Sequence, residues 1–339
     1  MTSLSRRQFA AASATTSVAL ATLALGSRVA AQATPDASAA ASPAAGEWTF
    51  TDDRGRTVTL PAMPTKIFAD AGAGLALWDL GIKVVGLAGY PNVFEIPEGL
   101  ADVPFLSVED GLDLEAVKAL GTDLIVSQSW DTENNNDFGG IDEGLIPGIL
   151  EVAPTVGIRA LDVSVATSLA RFEELAGLLG ADLTAASVID AKAAFDAASD
   201  DVRAAVAEKP GLKVLALSAT PDEVYIGNPA SASDLIYFAE LGVEFVELQG
   251  TADVVSGLFQ TLSWEQINQY TVDLYLNDDR AYSLTDEQLL EQPTFALLPA
   301  AKAGQIGHWS VEYVTSFQGF TPILAALAET IRNAEIVTG

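Results

Sequence analysis

The chain has 339 residues, of which 46 are acidic and 17 are basic, giving a formal net charge of −29 at pH 7. A negative field of this size repels phosphate backbones, so the composition argues against nucleic-acid binding. The sequence has no cysteine and one histidine, His308, which excludes disulfides, iron–sulfur clusters, thiolate zinc sites and multi-histidine metal sites.

The start of the chain has the layout of an export signal. Arg6 and Arg7 precede an uncharged run of small and apolar residues, Phe9–Gly26, and further small residues follow. The arginine pair resembles the twin-arginine motif of the Tat pathway, and an ordinary Sec signal containing Arg-Arg is the alternative. We predict cleavage after Ala33, with Ala31 as the alternative site. The mature chain would then carry a net charge of −32.

Residues 34–47 are rich in Ala, Ser and Pro and lack apolar periodicity, which is typical of a flexible linker. Order is predicted to begin at Trp48. Two alternating runs there flank the turn residues Asp53, Arg54 and Gly55, which predicts a β-hairpin.

Beyond the hairpin, short apolar runs alternate with helical patterns, which predicts parallel sheets with helices on their faces. The predicted strands are Lys66–Ala69, Val84–Leu87, Leu124–Ser127, Thr155–Ile158, Lys213–Ser218, Val243–Leu248, Val272–Leu276 and Thr294–Leu298. The predicted helices are Gly74–Leu80, Asp113–Leu120, Gly144–Val152, Ser233–Leu241, Ser263–Gln269, Thr285–Glu291 and Pro322–Ala334.

Two pairs of segments resemble each other across the chain. DLGIKVVGL (79–87) matches ELGVEFVEL (240–248), and TDLIVS (122–127) matches VDLYLN (272–277). Between them, Thr184–Lys209 has no internal Pro or Gly and predicts one helix of about 39 Å. The sequence therefore predicts an α/β protein of two Rossmann-like lobes with mostly parallel sheets, joined by one long α-helix.

Three kinds of motif bear on the chemistry that the chain could carry out. DAGAGLALWD (70–79) has G-x-G after a strand, but Leu77 replaces the third glycine of a dinucleotide motif. It is interpreted as a loop that needs close backbone approach, with nucleotide binding as the alternative. The acidic loop DTENNNDFGGIDE (131–143) has Asn136 where a calcium loop needs glycine, so a solvated loop is favoured over a calcium site. No G-x-S-x-G motif of a serine hydrolase occurs.

Aromatic residues occur where strands are predicted to end. Tyr90, Trp130 and Tyr225 lie just past strand candidates, and His308 and Trp309 follow the short apolar turn after Lys302. Ligands of open α/β sheets bind beyond the carboxyl ends of the strands, so these rings would suit a cleft for a bulky, partly apolar ligand. The alternative is that some of the rings only cap the core.

Five segments resemble, in order, those of the ABC-importer substrate-binding proteins of the iron-siderophore and cobalamin type. The segments are DDRGRTVTLPAMPTKI (52–67), LDLEAVKALGTDLIVS (112–127), EVAPTVGI (151–158), LSWEQINQYTVDLYL (262–276) and LPAAKAGQI (298–306). The resemblance implies a monomeric, exported binding protein with no catalytic residues and no cofactor, which holds its ligand between two lobes and delivers it to an ABC permease.

The resemblance also implies a domain organisation and a permease contact. The segments are a signal at 1–33, a linker at 34–47, an N-terminal ligand-binding lobe at 48–165, a connecting helical segment at 166–210 and a C-terminal ligand-binding lobe at 211–339. In the family, one surface acid on each lobe meets arginines of the permease. Glu115 and Asp234 match these positions, although the family usually has Glu at the second.

With one histidine, a bare zinc or manganese ion is disfavoured, and no metal is expected to be bound by the protein directly. We hypothesise a neutral or cationic ferric chelate, such as a hydroxamate, with haem or cobalamin as alternatives. The predicted ligand contacts are Tyr90, Trp130, Arg159, Tyr225, Arg280, His308, Trp309 and Tyr313. An exported α/β enzyme and a ligand-sensing module are the competing functions.

Overall fold

A computed structural model describes residues 46–130, 146–249, 254–255 and 257–338. The predicted signal with Arg6, Arg7 and Ala33, nearly all of the predicted linker, and the acidic loop at 131–143 lie outside the described residues. Within the described ranges, none of the helices combines the length and the hydropathy that a membrane crossing requires.

The predicted hairpin is present and covers one edge of a sheet. Strands β1 (Trp48–Thr51) and β2 (Thr57–Leu60) pair in antiparallel fashion. The turn between them docks on Gly157: the Asp53 N–H donates to the Gly157 carbonyl at 3.1 Å, and the Gly157 N–H donates to the Asp52 carboxylate at 3.0 Å. The turn therefore occupies backbone groups that an edge strand would otherwise leave unpaired.

The N-terminal lobe is built on a five-stranded, fully parallel sheet with the order β5-β4-β3-β6-β7. Strands β3 and β6, in the interior of this sheet, are buried at every position, as expected for a parallel sheet covered on both faces. The strands are β3 (Ile67–Asp70), β4 (Gly86–Gly89), β5 (Phe105–Ser107), β6 (Leu124–Ser129) and β7 (Thr155–Arg159). The accompanying helices are α1 (Ala71–Asp79), α2 (Leu114–Ala119), α3 (Ile146–Val152) and α4 (Val165–Leu178).

The long connecting helix is present as α5 (Ala186–Glu208), so the predicted helix is confirmed to within two residues at its start. Its inward face carries Val188, Phe195 and Val202, which recur every seven residues and are buried. The helix packs along α9 (Phe317–Asn333), where the Phe195 and Phe317 rings meet edge to face at 5.5 Å.

The C-terminal lobe has a mixed sheet with the order β11-β12-β9-β8-β13-β14. Strands β8, β13 and β14 run parallel, whereas β9, β12 and β11 are antiparallel. The strands are β8 (Lys213–Ala219), β9 (Glu223–Gly227), β10 (Glu244–Phe245), β11 (Val254–Val255), β12 (Phe259–Ser263), β13 (Leu274–Asp278) and β14 (Ile306–Trp309). The helices are α6 (Ser233–Glu240), α7 (Asp286–Glu291) and α8 (Pro299–Lys302).

The sequence repeat corresponds to a structural one. Gly81 and Gly242 both adopt positive φ, +89° and +104°, and so let the chain turn from a helix into strands β4 and β10. Both strands run parallel to the first strand of their sheet. Asp123 accepts hydrogen bonds from the N–H groups of residues 65 and 66, and Asp273 accepts one from the Lys213 N–H. Each aspartate thus joins the entry of one central strand to its neighbour.

One predicted strand is wrong and one is much shorter than predicted. Thr294–Leu298 contains a 3-10 turn, Phe295–Leu297, because prolines at 293 and 299 bracket it and no ladder can extend. The predicted strand Val243–Leu248 is reduced to the two residues of β10, because β9 occupies the rest of that edge of β8. Strands β5, β9, β11, β12 and β14 and helices α4 and α8 were not predicted as separate elements, and the predicted helix Ser263–Gln269 is a 3-10 helix, Trp264–Gln269.

Candidate functional site

The parallel strands of each lobe end at one edge of their sheet, and the predicted ligand contacts of the N-terminal lobe lie along that edge. Tyr90 follows β4, Trp130 follows β6, and Arg159 is the last residue of β7. Since β4, β3, β6 and β7 are successive neighbours, these three side chains belong to one row, with Asp70 at the end of β3 between them.

Asp70 forms the floor of this row and was missed by the sequence analysis. Its carboxylate caps α1 by accepting from the Ala73 N–H at 3.0 Å, and it accepts from the Gln128 N–H at 2.5 Å. Burial raises the pKa of Asp70 to about 6, against the effect of these hydrogen bonds. The signal was available, because an aspartate between a strand and a helical run is an N-cap pattern.

The three predicted contacts of the N-terminal lobe differ in accessibility. Tyr90 is open to solvent, with 53% of its surface exposed, whereas Trp130 and Arg159 are half-buried. The Arg159 backbone N–H donates to the Asp53 carboxylate at 2.9 Å, and its Nη2 lies 3.5 Å from the Asp53 carbonyl. The hairpin turn therefore holds the end of β7 in place.

In the C-terminal lobe, two predicted contacts already have partners. Tyr225 is half-buried and its hydroxyl donates to Glu223 at 2.9 Å; burial and this carboxylate raise the pKa of Tyr225. Arg280 donates through Nε and Nη2 to Asp278, with a shortest distance of 2.6 Å, and the Asp278 side chain is fully buried. Arg280 was predicted to contact the ligand, but its guanidinium is already engaged in a strong ion pair with Asp278.

The predictions for Trp309 and Asp234 need correction. Trp309 was predicted to contact the ligand, with packing on the core as the alternative; its ring is 3% exposed and packs against Gly227 and the Phe259 ring, which agrees with the alternative. Asp234 was expected at the surface, but it is also 3% exposed and accepts from the Trp309 Nε1–H at 2.5 Å. Burial raises the pKa of Asp234 to about 6. A buried carboxylate cannot meet a permease, so the surface role predicted for Asp234 is wrong.

The other two predicted contacts lie in different surroundings. His308 is exposed on the edge strand β14 and lines a pocket of about 230 Å³ with Ile323 and Leu327 of α9. Tyr313 is half-buried, meets the Phe320 ring edge to face at 5.0 Å, and has a pKa raised well above its ordinary value by burial. His308 therefore faces a side pocket, while Tyr313 adjoins the core.

The segment after β14 connects the two lobes. The Gln128 side chain donates to the Thr315 hydroxyl at 2.9 Å, and the Ser316 hydroxyl donates to the Asp79 carboxylate at 2.5 Å. Because Gln128 also donates its backbone N–H to Asp70, the floor of the N-terminal row is linked to the C-terminal lobe. These bonds join the segment after β14 to both β6 and the end of α1.

Tyr282 is a second candidate that the sequence analysis missed. It lies four residues after β13, and 63% of its surface is exposed. Its ring lies 4.7 Å from the guanidinium carbon of Arg280. The rule that selected Tyr90, an aromatic residue a few residues past a predicted strand, applies to Tyr282 as well, so the sequence contained a signal for it.

The glycines of DAGAGLALWD serve packing, although they lie within α1 and not in a loop. A side chain at Gly74 would clash with Leu87 of β4, and one at Gly72 would come within 2.6 Å of the Gln128 side chain. The predicted close approach is therefore present between a helix and strands. In the described part of the chain, no cluster of three or more acidic or histidine side chains could hold a metal ion.

Glu115, the other predicted permease contact, is exposed in the first turn of α2. Val117 of the same helix is buried against the sheet, so Glu115 points away from the core. Helix α2 connects the carboxyl end of β5 to the start of β6. Its first turn, which carries Glu115, therefore lies toward the carboxyl edge of the sheet.

Comparisons with known proteins agree with this architecture. The family model of the periplasmic binding proteins matches residues 111–313. The chain is similar to DesE, a ferric-siderophore receptor protein from Streptomyces coelicolor, with 38% identity, coverage of 86% of this chain and 99% of that one, and a TM-score of 0.75. The petrobactin-binding protein YclQ from Bacillus subtilis shares the fold at 20% identity, with 85% and 99% coverage and a TM-score of 0.63. No curated protein matches.

Proposed function

The chain belongs to the periplasmic binding protein family, and we propose that it captures a ferric siderophore outside the cytoplasm and passes it to an ABC permease. The ligand would lie between a lobe at 48–165 and a lobe at 211–339. The observation that carries the proposal is the 38% identity to a ferric-siderophore receptor over 99% of that protein.

The charges at the cleft edges favour a neutral or cationic complex. At the C-terminal edge, the carboxylates of Asp278 and Glu312 lie beside the Arg280 guanidinium, and the charge of Asp279 acts on Glu312. An anionic triscatecholate would be repelled by the net negative charge there, whereas a neutral or cationic ferric trihydroxamate would not be repelled. We therefore propose a hydroxamate as the ligand class.

We expect a ferrioxamine, which is a ferric trihydroxamate, to quench the tryptophan fluorescence of the purified protein at micromolar concentration and with 1:1 stoichiometry. Trp130 is half-buried and directly follows β6, so it lies at the proposed cleft surface and can report binding. Titration of the iron-free chelator, a ferric triscatecholate, haem and cobalamin under the same conditions gives the matched comparison.

The proposal makes the ferric trihydroxamate the tightest of these ligands. Absence of quenching at micromolar ferrioxamine would contradict it, and tighter binding of haem or cobalamin would favour the alternative ligands. Release of a chemically altered ligand, followed by mass spectrometry, would instead indicate an exported enzyme.

We also propose that Glu115 contacts the permease. Glu115→Ala is expected to lower ferrioxamine uptake several-fold in cells that depend on this protein, without changing the dissociation constant of the purified protein. Glu151→Ala is the matched control, because Glu151 is an exposed acid of the same lobe at the end of α3, near the opposite edge of the sheet. Equal uptake by the Glu115 variant and the wild type would contradict the contact.

For export, we propose the twin-arginine route with Arg6 and Arg7, and cleavage after Ala33. The motif in the sequence supports this proposal. Export that persists after both arginines are changed to lysine would favour the Sec route. A mature N-terminus other than Thr34 would contradict the cleavage site.

A further inference from the structure

Two aromatic side chains among the described residues are more than half exposed, and each follows a parallel strand of its own lobe. Tyr90 follows β4 and is 53% exposed, and Tyr282 follows β13 and is 63% exposed. Large rings left open at strand ends contribute little to folding, and such positions are where α/β proteins bind ligands. Tyr90 was selected from the sequence, whereas Tyr282 was assigned no role.

The Tyr282 ring lies against the Arg280 guanidinium, which is itself paired with two carboxylates. The fully buried Asp278 side chain ends β13 and holds Arg280 through Nε and Nη2, and the Arg280 guanidinium lies 4.7 Å from the ring centre of Tyr282. Glu312 lies 3.7 Å from Nη1 of the same guanidinium. A cation fixed on one face of a ring restrains it while the other face stays open.

We propose that Tyr282 binds the ligand in the C-terminal lobe and that Arg280 is a positioning residue, which holds the ring and does not itself contact the chelate. This inference rests on the proposed function and names a contact of the same site. The open ring face suits the methylene chains between hydroxamate groups, and the hydroxyl can donate to a chelate oxygen.

The state of the hydroxyl agrees with this role. Partial burial, together with the carboxylates of Asp278 and Glu312, raises the pKa of Tyr282 to about 12, although Arg280 opposes the shift. The hydroxyl therefore keeps its proton throughout the physiological range and remains a donor.

The test is a set of fluorescence titrations with a ferrioxamine. Tyr282→Ala is expected to raise the dissociation constant at least tenfold, and Tyr282→Phe, which keeps the ring, by no more than about threefold. Leu297→Ala is the matched control, because Leu297 is 67% exposed in the same lobe but precedes β14 and so lies at the opposite edge of the sheet. This control is expected to bind like the wild type.

The role of Arg280 is tested by a double-mutant cycle. Arg280→Lys keeps the charge beside Asp278 but loses the planar fork, so it should weaken binding in the wild type and cause no further loss in Tyr282→Ala. Thermal denaturation confirms that each variant is folded. Additive effects of the two substitutions would overturn the positioning role.

Unchanged affinity in Tyr282→Ala, while the wild type binds a ferrioxamine, would overturn the Tyr282 contact and leave the proposed function intact. Failure of the wild type to bind any ferric chelate would overturn the proposed function and this inference together.

Discussion

Asp52→Ala is expected to lower the free energy of unfolding by about 3–5 kcal/mol, the scale found when one partner of a buried ion pair is removed. The Asp52 side chain is fully buried and lies 2.6 Å from Nη2 of Arg54, whose side chain is 2% exposed. The same carboxylate accepts backbone N–H groups of Arg54, Arg56 and Gly157 at 2.9–3.0 Å. Alanine would leave the guanidinium and these three donors without that acceptor.

The measurement is urea denaturation followed by circular dichroism. Asp200→Ala is the matched control, because Asp200 pairs with Arg203 at 2.7 Å on the surface, where such pairs contribute about 0–1 kcal/mol. Asp52→Asn should fall between the two, since the amide can still accept but carries no charge. A loss of less than about 1 kcal/mol in Asp52→Ala would show that the hairpin turn does not stabilise the sheet edge.

Trp309→Phe is expected to destabilise the protein by about 2–4 kcal/mol at pH 8 and by less at pH 5. The substitution removes the indole N–H that donates to Asp234, and it leaves that carboxylate buried without its side-chain donor. The physical reason for the pH dependence is that a buried carboxylate without a donor is costly only when it is charged.

The sign follows from the pKa of Asp234, which burial raises from 3.8 to about 6. Because the folded pKa lies above the unfolded one, the folded state binds the proton more tightly, and stability falls as pH rises from about 4 to 6. Loss of the indole donor raises the folded pKa further, so the decline extends to higher pH and the deficit grows there.

Thermal melts of wild type and variant between pH 5 and 8 test this expectation. Trp264→Phe is the matched control, because the Trp264 indole donates to the carbonyls of Thr220 and Pro221, which do not titrate in this range. Its deficit should be independent of pH, and so should that of Trp309→Phe combined with Asp234→Asn. A pH-independent deficit in Trp309→Phe alone would contradict the role assigned to the Asp234 carboxylate.

The alternation of apolar runs with helical patterns was sufficient to predict both lobes and the long helix. Parallel strands such as β6 are buried on both faces and therefore appear in the sequence as continuous apolar runs. In the antiparallel strands β9 and β12, buried positions alternate with half-buried or exposed ones, so no such run marks them. The mixed character of the second sheet could not be predicted for that reason.

The sequence predicted which edge of the sheets carries the candidate site, but it did not predict which side chains at that edge are exposed. Tyr90 and Trp309 both lie at strand ends, yet one is open and the other packs on Gly227. A position at a strand end does not show whether a neighbouring glycine, such as Gly227, leaves space in which the ring can be buried. For Arg280 a signal existed, because the acidic residues directly before it in the sequence offered partners for the guanidinium.

The packing of α5 along α9 has a consequence for cooperativity. One apolar cluster runs from Val126 of β6 through Phe195 of α5 and Phe320 of α9 to Val214 of β8, so both sheets share it. Separating the lobes would uncover apolar surface on each half. We therefore expect a single calorimetric transition in which the two lobes melt together, and neither lobe is expected to persist as an isolated fragment. The unit that folds is larger than the unit that either sheet defines.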